Sequence, residues 1–191
     1  PGANNANLIM MEEFTERKSN KIGAKLYYGS FQSTGQLVFS IRNSLESFGN
    51  NQQEFRDHNK LTTTGAFFYR VAPKSRVLFE ASYSDISYDK NLAAIDQSSK
   101  LTELLTGVEW QATAKTTSVA KIGYLDKKYN YDLFDNTSGL SYFLDIYFRP
   151  TTYTLFTLGG QRSITESALN NVKSYITQSI SLGIDHKFTE R

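Results

Sequence analysis

Cysteine is absent from the 191 residues, so neither a disulfide framework nor a thiolate metal site can hold this fold together. There are only 2 histidines, 3 prolines and 1 tryptophan. No run of roughly 18 apolar residues occurs, which excludes a transmembrane helix. Neither sign of charge dominates. With 21 Lys and Arg against 19 Asp and Glu the net charge is +2, too small to imply nucleic acid or anionic lipid as a partner. Apolar residues are scarce too, at 39%, against about 45–50% in soluble domains. The chain starts at Pro1 without a Met or a signal peptide, and is expected to be a mature or trimmed product.

What is abundant is aromatic and hydroxylated residues. Aromatics reach 14%, and Ser with Thr make up about a fifth. A membrane barrel produces this mixture, because every second residue faces lipid, aromatics gather at the interfaces and the lumen is polar. A soluble β-sandwich also could, so composition alone leaves both open.

Wiring separates them. At intervals of roughly 40 residues an alternating segment meets a short turn and a second alternating segment follows. The turns are Gln32-Ser33-Thr34-Gly35, Ala72-Pro73-Lys74-Ser75, Thr113-Ala114-Lys115-Thr116, Arg149-Pro150-Thr151-Thr152 and Phe188-Thr189-Glu190-Arg191. Longer polar loops lie between them, at Gly49–Gln53, Asp89–Ser99, Asn130–Asn136 and Ser167–Lys173. Short turns on one side and long loops on the other are the connectivity of a transmembrane β-barrel. The expected fold is therefore all-β, an antiparallel up-and-down transmembrane β-barrel of about ten strands, as one domain over residues 1–191 and part of a larger barrel. The strands are expected near 8–14, 21–31, 36–47, 54–71, 75–88, 100–112, 116–129, 137–149, 152–166 and 174–188. Within them Leu140, Tyr142, Leu144, Ile146 and Phe148 share one face, opposite Ser141, Phe143, Asp145 and Tyr147.

Several stretches resemble one family. They are Tyr69-Arg70-Val71-Ala72-Pro73-Lys74-Ser75 running on to Tyr88, Gly107-Val108-Glu109-Trp110-Gln111 running on to Thr117, Phe148-Arg149-Pro150-Thr151-Thr152-Tyr153, and the terminal His186-Lys187-Phe188-Thr189-Glu190-Arg191. They resemble the bacterial outer-membrane β-barrel porins found with exopolysaccharide or capsule loci. The resemblance runs over residues 65–191 and is weaker before that. It implies an outer-membrane location, contact with outer-membrane lipid, and a role in polysaccharide export beside a periplasmic export complex.

Nothing points to catalysis, a cofactor or a metal. No Gly-x-Ser-x-Gly elbow and no phosphate-binding loop occurs. His58 sits in the polar run Glu54–Lys60 without a second ligand at metal spacing, and reads as a solvated strand extension. His186 precedes a turn. The charges within strands carry more information. A Lys or Arg facing lipid at mid-membrane costs about 2–4 kcal/mol. Lys25, Arg42, Glu80, Glu109, Lys121, Asp145 and Asp185 are therefore expected to face the lumen. Two readings stay open: cross-barrel ion pairs filling a plugged interior, or a polar conduit guiding a hydrated solute. Trp110, Tyr147, Phe148, Tyr153 and Phe188 flank the short turns and are expected at the membrane interface. Tyr129, Tyr131 and Phe134, by a long loop, fit either a rim girdle or a sugar-binding platform.

Overall fold

The computed structural model describes residues 16–49, 54–89, 96–113, 115–131, 134–166 and 174–188. The expected strand at 8–14, the loop 167–173 and the terminal Thr189–Arg191 lie outside the described residues. So do 50–53, 90–95 and 132–133 of the other long loops, and Ala114 of the third short turn.

Nine strands form one sheet: β1 (Arg17–Tyr28), β2 (Gly35–Phe48), β3 (His58–Ala72), β4 (Ser75–Tyr88), β5 (Ser99–Thr113), β6 (Thr116–Tyr129), β7 (Thr137–Phe148), β8 (Thr154–Glu166) and β9 (Ser174–His186). Spatial order follows sequence order and each neighbouring pair is antiparallel, so the chain runs up and down along the sheet. Among the described residues β1 and β9 are not paired with each other, and the sheet is an arc, not a closed cylinder. Strands of 12 to 15 residues exceed the length needed to cross a bilayer at a tilt.

Local chemistry adjusts two expected boundaries. The segment expected to begin a strand at Glu54 instead makes a 3-10 turn over Glu54–Arg56. Asp57 explains the change. Its backbone N–H closes the turn on the Glu54 carbonyl, at 3.1 Å. Its carboxylate accepts the Phe48 N–H at 2.7 Å, tying the turn to the end of β2. The first short connection is also longer than the four-residue turn expected at Gln32–Gly35. β1 ends at Tyr28, Gly29 takes a positive φ of 88°, and the loop closes through Ser33 N–H to the Ser30 carbonyl at 3.1 Å. The β3–β4 connection is the expected tight one, through Pro73 and Lys74.

The two faces of the sheet differ in chemistry throughout. On β4, Val77, Phe79, Ala81 and Tyr83 point one way, and Arg76, Leu78, Glu80, Ser82, Ser84 and Ile86 the other. Register carries that division across the sheet: Phe79 lies beside Phe67 and Thr106, Glu80 beside Ala66 and Leu105. The first set belongs to an apolar face that leaves Phe79, Leu104, Ile122, Leu182 and Ile184 more than half exposed. The second belongs to a crowded polar face, where Arg76, Leu78, Ser84, Ile86, Leu105, Leu125, Lys127 and Ser141 are buried. The polar face is the concave one, since Lys21 on β1 and Ser163 on β8 line the same cavity.

Candidate conduit along the polar face

Charges on the apolar face have a vertical order. Lys18, Asp85, Lys100, Asp126, Lys128 and Arg162 all lie on the half of their strands toward the long connections. Below them runs an uncharged band. On β4 it extends from Tyr83 to Val77, six steps, or about 20 Å of strand. Tyr83, Tyr124 and Tyr142 mark its upper edge, and Trp110 and Phe148 its lower edge by the short turns. Phe148 stacks on Phe156 at 6.1 Å between centroids. An apolar belt between two aromatic rows matches the lipid-facing surface of a membrane barrel.

Of the other aromatics expected at the interface, Tyr153 is exposed in the β7–β8 connection and Phe188 packs edge-on against His186 just beyond β9. Tyr147 lies on the polar face. It shares the phase of Asp145 and donates its hydroxyl hydrogen to that carboxylate at 2.9 Å.

The polar face gathers the strand charges. Lys25, Arg42, Glu80, Glu109, Lys121, Asp145 and Asp185 all point to it by register. Three of them are locked in pairs. Lys121 donates to Glu80 at 2.8 Å, with both side chains one-fifth exposed. Glu109 accepts from Arg76. Lys25 lies over the Tyr27 ring at 5.1 Å. Arg42 faces a cavity, and Asp185 is exposed on β9.

The Lys121–Glu80 pair is unusual in spanning three strands, reaching from β6 to β4 over the intervening β5. Register explains how. Directly opposite Lys121 on β5 is Gly107, which has no side chain to obstruct the lysine stem. A second bridge repeats the arrangement one strand along. The Ser141 hydroxyl on β7 donates to Glu103 on β5 at 2.5 Å, passing β6 where Gly123 stands opposite Ser141. A Cβ at Gly107 would strike the Ala120 carbonyl oxygen, and one at Gly123 the Leu104 carbonyl oxygen. Both glycines therefore permit close approach of the neighbouring backbone.

Arg76 is the residue that sequence reasoning missed. Its guanidinium sits between the rings of Phe31 and Phe68, 3.8 and 4.4 Å from their centroids, and also donates to Gln36 at 2.9 Å. Phe31 comes from the β1–β2 connection, so this clamp holds that turn against the polar face. Arg76 lies two and four residues before Leu78 and Glu80, and that phase was the available signal. Lys21, four residues before Lys25, was legible in the same way.

The histidines are occupied locally. His58 Nδ1 lies 2.8 Å from the Arg56 carbonyl and its ring packs on Tyr88. His186 Nδ1 lies 2.8 Å from the Thr154 hydroxyl. Tyr129, Tyr131 and Phe134 form one ring cluster, with Phe134 within 5.7 Å of both tyrosines.

Comparison with known proteins agrees with this geometry. The family described as "Putative beta-barrel porin 2" matches residues 24–191. The chain belongs to this family. It is also similar in fold to the outer membrane channel DcaP of Acinetobacter baumannii, with a TM-score of 0.53 and 12% sequence identity. That similarity covers 91% of this chain and 54% of the channel, so the chain spans about half of the channel's length. No curated protein matches it. The chain is thus a porin-like β-barrel protein of the bacterial outer membrane.

Proposed function

We propose that the nine strands form part of the wall of a larger barrel that conducts a polysaccharide outward across the outer membrane, with the polar face toward the lumen. The carrying observation is the cavity of about 460 Å³ on that face, floored by the hydroxyls of Ser40, Ser44, Thr62 and Thr64 and edged by Lys21 and Arg42. A surface of hydroxyls can exchange hydrogen bonds with a hydrated sugar chain without holding it, which conduction requires. In this reading the chain is a transport protein without catalysis, and a periplasmic export complex delivers the polymer to the short-turn end. The ring cluster Tyr129, Tyr131 and Phe134 then serves as a sugar platform near the long-loop rim. Deletion of the gene tests the proposal: surface polysaccharide should fall, and an unchanged amount overturns it.

The central ion pairs favour a second reading, a scaffold barrel with a filled interior. Arg76, its two aromatic partners and Glu109 occupy the space in front of β4 and β5 near the short turns. Conductance across a planar bilayer separates the readings. Steady ion current supports the conduit, and a sealed barrel supports the scaffold.

A further inference from the structure

The charges of the polar face are unevenly shared between strands. On β4–β6 they balance, with Arg76, Lys121 and Lys127 facing Glu80, Glu103 and Glu109. On β1–β3 they do not. Lys21, Lys25, Arg42, Lys60 and Arg70 point to that face, and the one carboxylate of these strands there, Glu46, is bound by Arg17 at 2.5 Å. Three of these cations, Lys21, Arg42 and Lys60, edge the cavity described above. Its one acid, Glu103, already accepts the Ser141 hydroxyl. Among the described residues the side chains of Lys21 and Arg42 have neither an ion pair nor a hydrogen bond. Both are exposed on the concave side, where an unpaired cation is free to meet a solute.

We infer that this cavity is a binding site for a carboxylate-bearing sugar chain. Lys21 and Arg42 are the contacts to carboxylate, and Ser40, Ser44, Thr62 and Thr64 the contacts to sugar hydroxyls. Two cations set on adjacent strands above a floor of hydroxyls suit a polymer that repeats both groups. The guanidinium of Arg42 offers a planar fork to a carboxylate, and Lys21 a point charge. The inference rests on the export reading for the polymer's identity as a sugar. It goes beyond that reading in assigning the solute's charge and the side chains that sense it.

Calorimetric titration of the full chain in detergent tests it, with trigalacturonate, its uncharged methyl ester and monomeric galacturonate as probes. Trigalacturonate should bind about tenfold or more tighter than the ester, since one lost charge-assisted contact is worth about a factor of ten. Raising salt should weaken the acid and leave the ester unchanged, because exposed charges are screened. Lys21→Gln with Arg42→Gln should abolish the preference, while Asp145→Asn, outside the cavity, should not. If the double variant fails to fold, the salt series on the unaltered chain still decides. Equal affinity for acid and ester, or no binding of either, overturns the inference. Monomer binding as tightly as trimer would assign the site to small free acids and overturn the polymer. The export reading fails separately. Unchanged surface polysaccharide on deletion would sink export and leave an acid-selective site standing. Lost polysaccharide with no acid preference would do the reverse.

Discussion

The centre of the sheet and its first strands use the same kinds of residue in opposite ways. Strands β4 to β6 bind their charges to one another: Arg76 to Glu109, Lys121 to Glu80. Strands β1 and β2 leave Lys21 and Arg42 open to the concave side. The difference follows from close strand approach and side-chain size. Gly107 and Gly123 let the central strands approach closely, and long side chains then cross over them to partners two strands away. On β1, Gly23 also approaches its neighbour closely, but no side chain crosses over it to a partner, and every residue along the strand is exposed. The centre is therefore built as a wall of paired charges, and the first strands leave theirs open to the concave side. A charge has one meaning where it is paired and another where it is not.

Replacing Arg76 with Met should break this contrast most severely. It leaves Glu109 without its ion pair and releases Phe31 and Phe68, and removing one member of a buried pair costs about 3–5 kcal/mol. Unfolding in lipid vesicles by urea should show a loss of that order, whereas Lys25→Met on β1 should shift stability by well under 1 kcal/mol. A similar loss from both would mean that pairing does not set the centre apart. On the opposite face, Leu104→Arg places a charge in the middle of the apolar belt and should cost about 2–4 kcal/mol in the same assay. An arginine tolerated there would show that the belt does not meet lipid. The glycines come next. Gly123→Ala forces a Cβ against the Leu104 backbone and should cost about 1–3 kcal/mol. Gly65→Ala on the apolar face, where a Cβ meets nothing within 4 Å, should be near neutral. Equal effects would remove the close-approach account of these glycines.

How far the sequence revealed this architecture depended on whether a property repeats along the chain. Alternation made the strands legible because it is imposed by the pleat at every residue. It put Glu80, Glu109 and Lys121 on the face opposite Phe79, Val108 and Ile122, and the register agrees. The chemistry of the faces was less legible. That Lys121 meets Glu80, 41 residues away and past an intervening strand, depends on a glycine in a third segment, and no local pattern encodes it. The Arg76 clamp escaped for the same reason, since Phe31, Gln36, Phe68 and Glu109 come from separate strands and turns. Tyr147 shows a limit of reading by neighbourhood. Its nearness to a short turn suggested the interface, but its phase places it beside Asp145 on the polar face. The turn at Glu54–Arg56 was hidden because the Asp57 side chain competes with strand hydrogen bonding there.

The smallest effect is expected at the long-loop rim, beyond the belt and away from both regions compared. Just before β5, the Asp96 carboxylate accepts the Ser98 backbone N–H at 2.9 Å. The Ser98 hydroxyl and N–H, the leading causes, hold its pKa below the usual carboxylate value against a small opposing cost of burial. A carboxyl with a depressed folded pKa contributes stability that is present above the unfolded pKa, near 3.9, and is lost as pH falls through the folded one. Acid should therefore loosen this rim. The contribution should stay below about 1 kcal/mol, because the group is still partly exposed to solvent. Amide hydrogen exchange at Ser98, followed from pH 6 down through the carboxylate range, should show protection falling with acid. Asp96→Asn should remove the dependence on pH at Ser98 and leave exchange at Leu78, in the central wall, unchanged. If Asp96→Asn altered exchange at Leu78 together with Ser98, the rim and the wall would be one cooperative unit, and the distinction between a paired centre and a responsive periphery would not extend to the long loops.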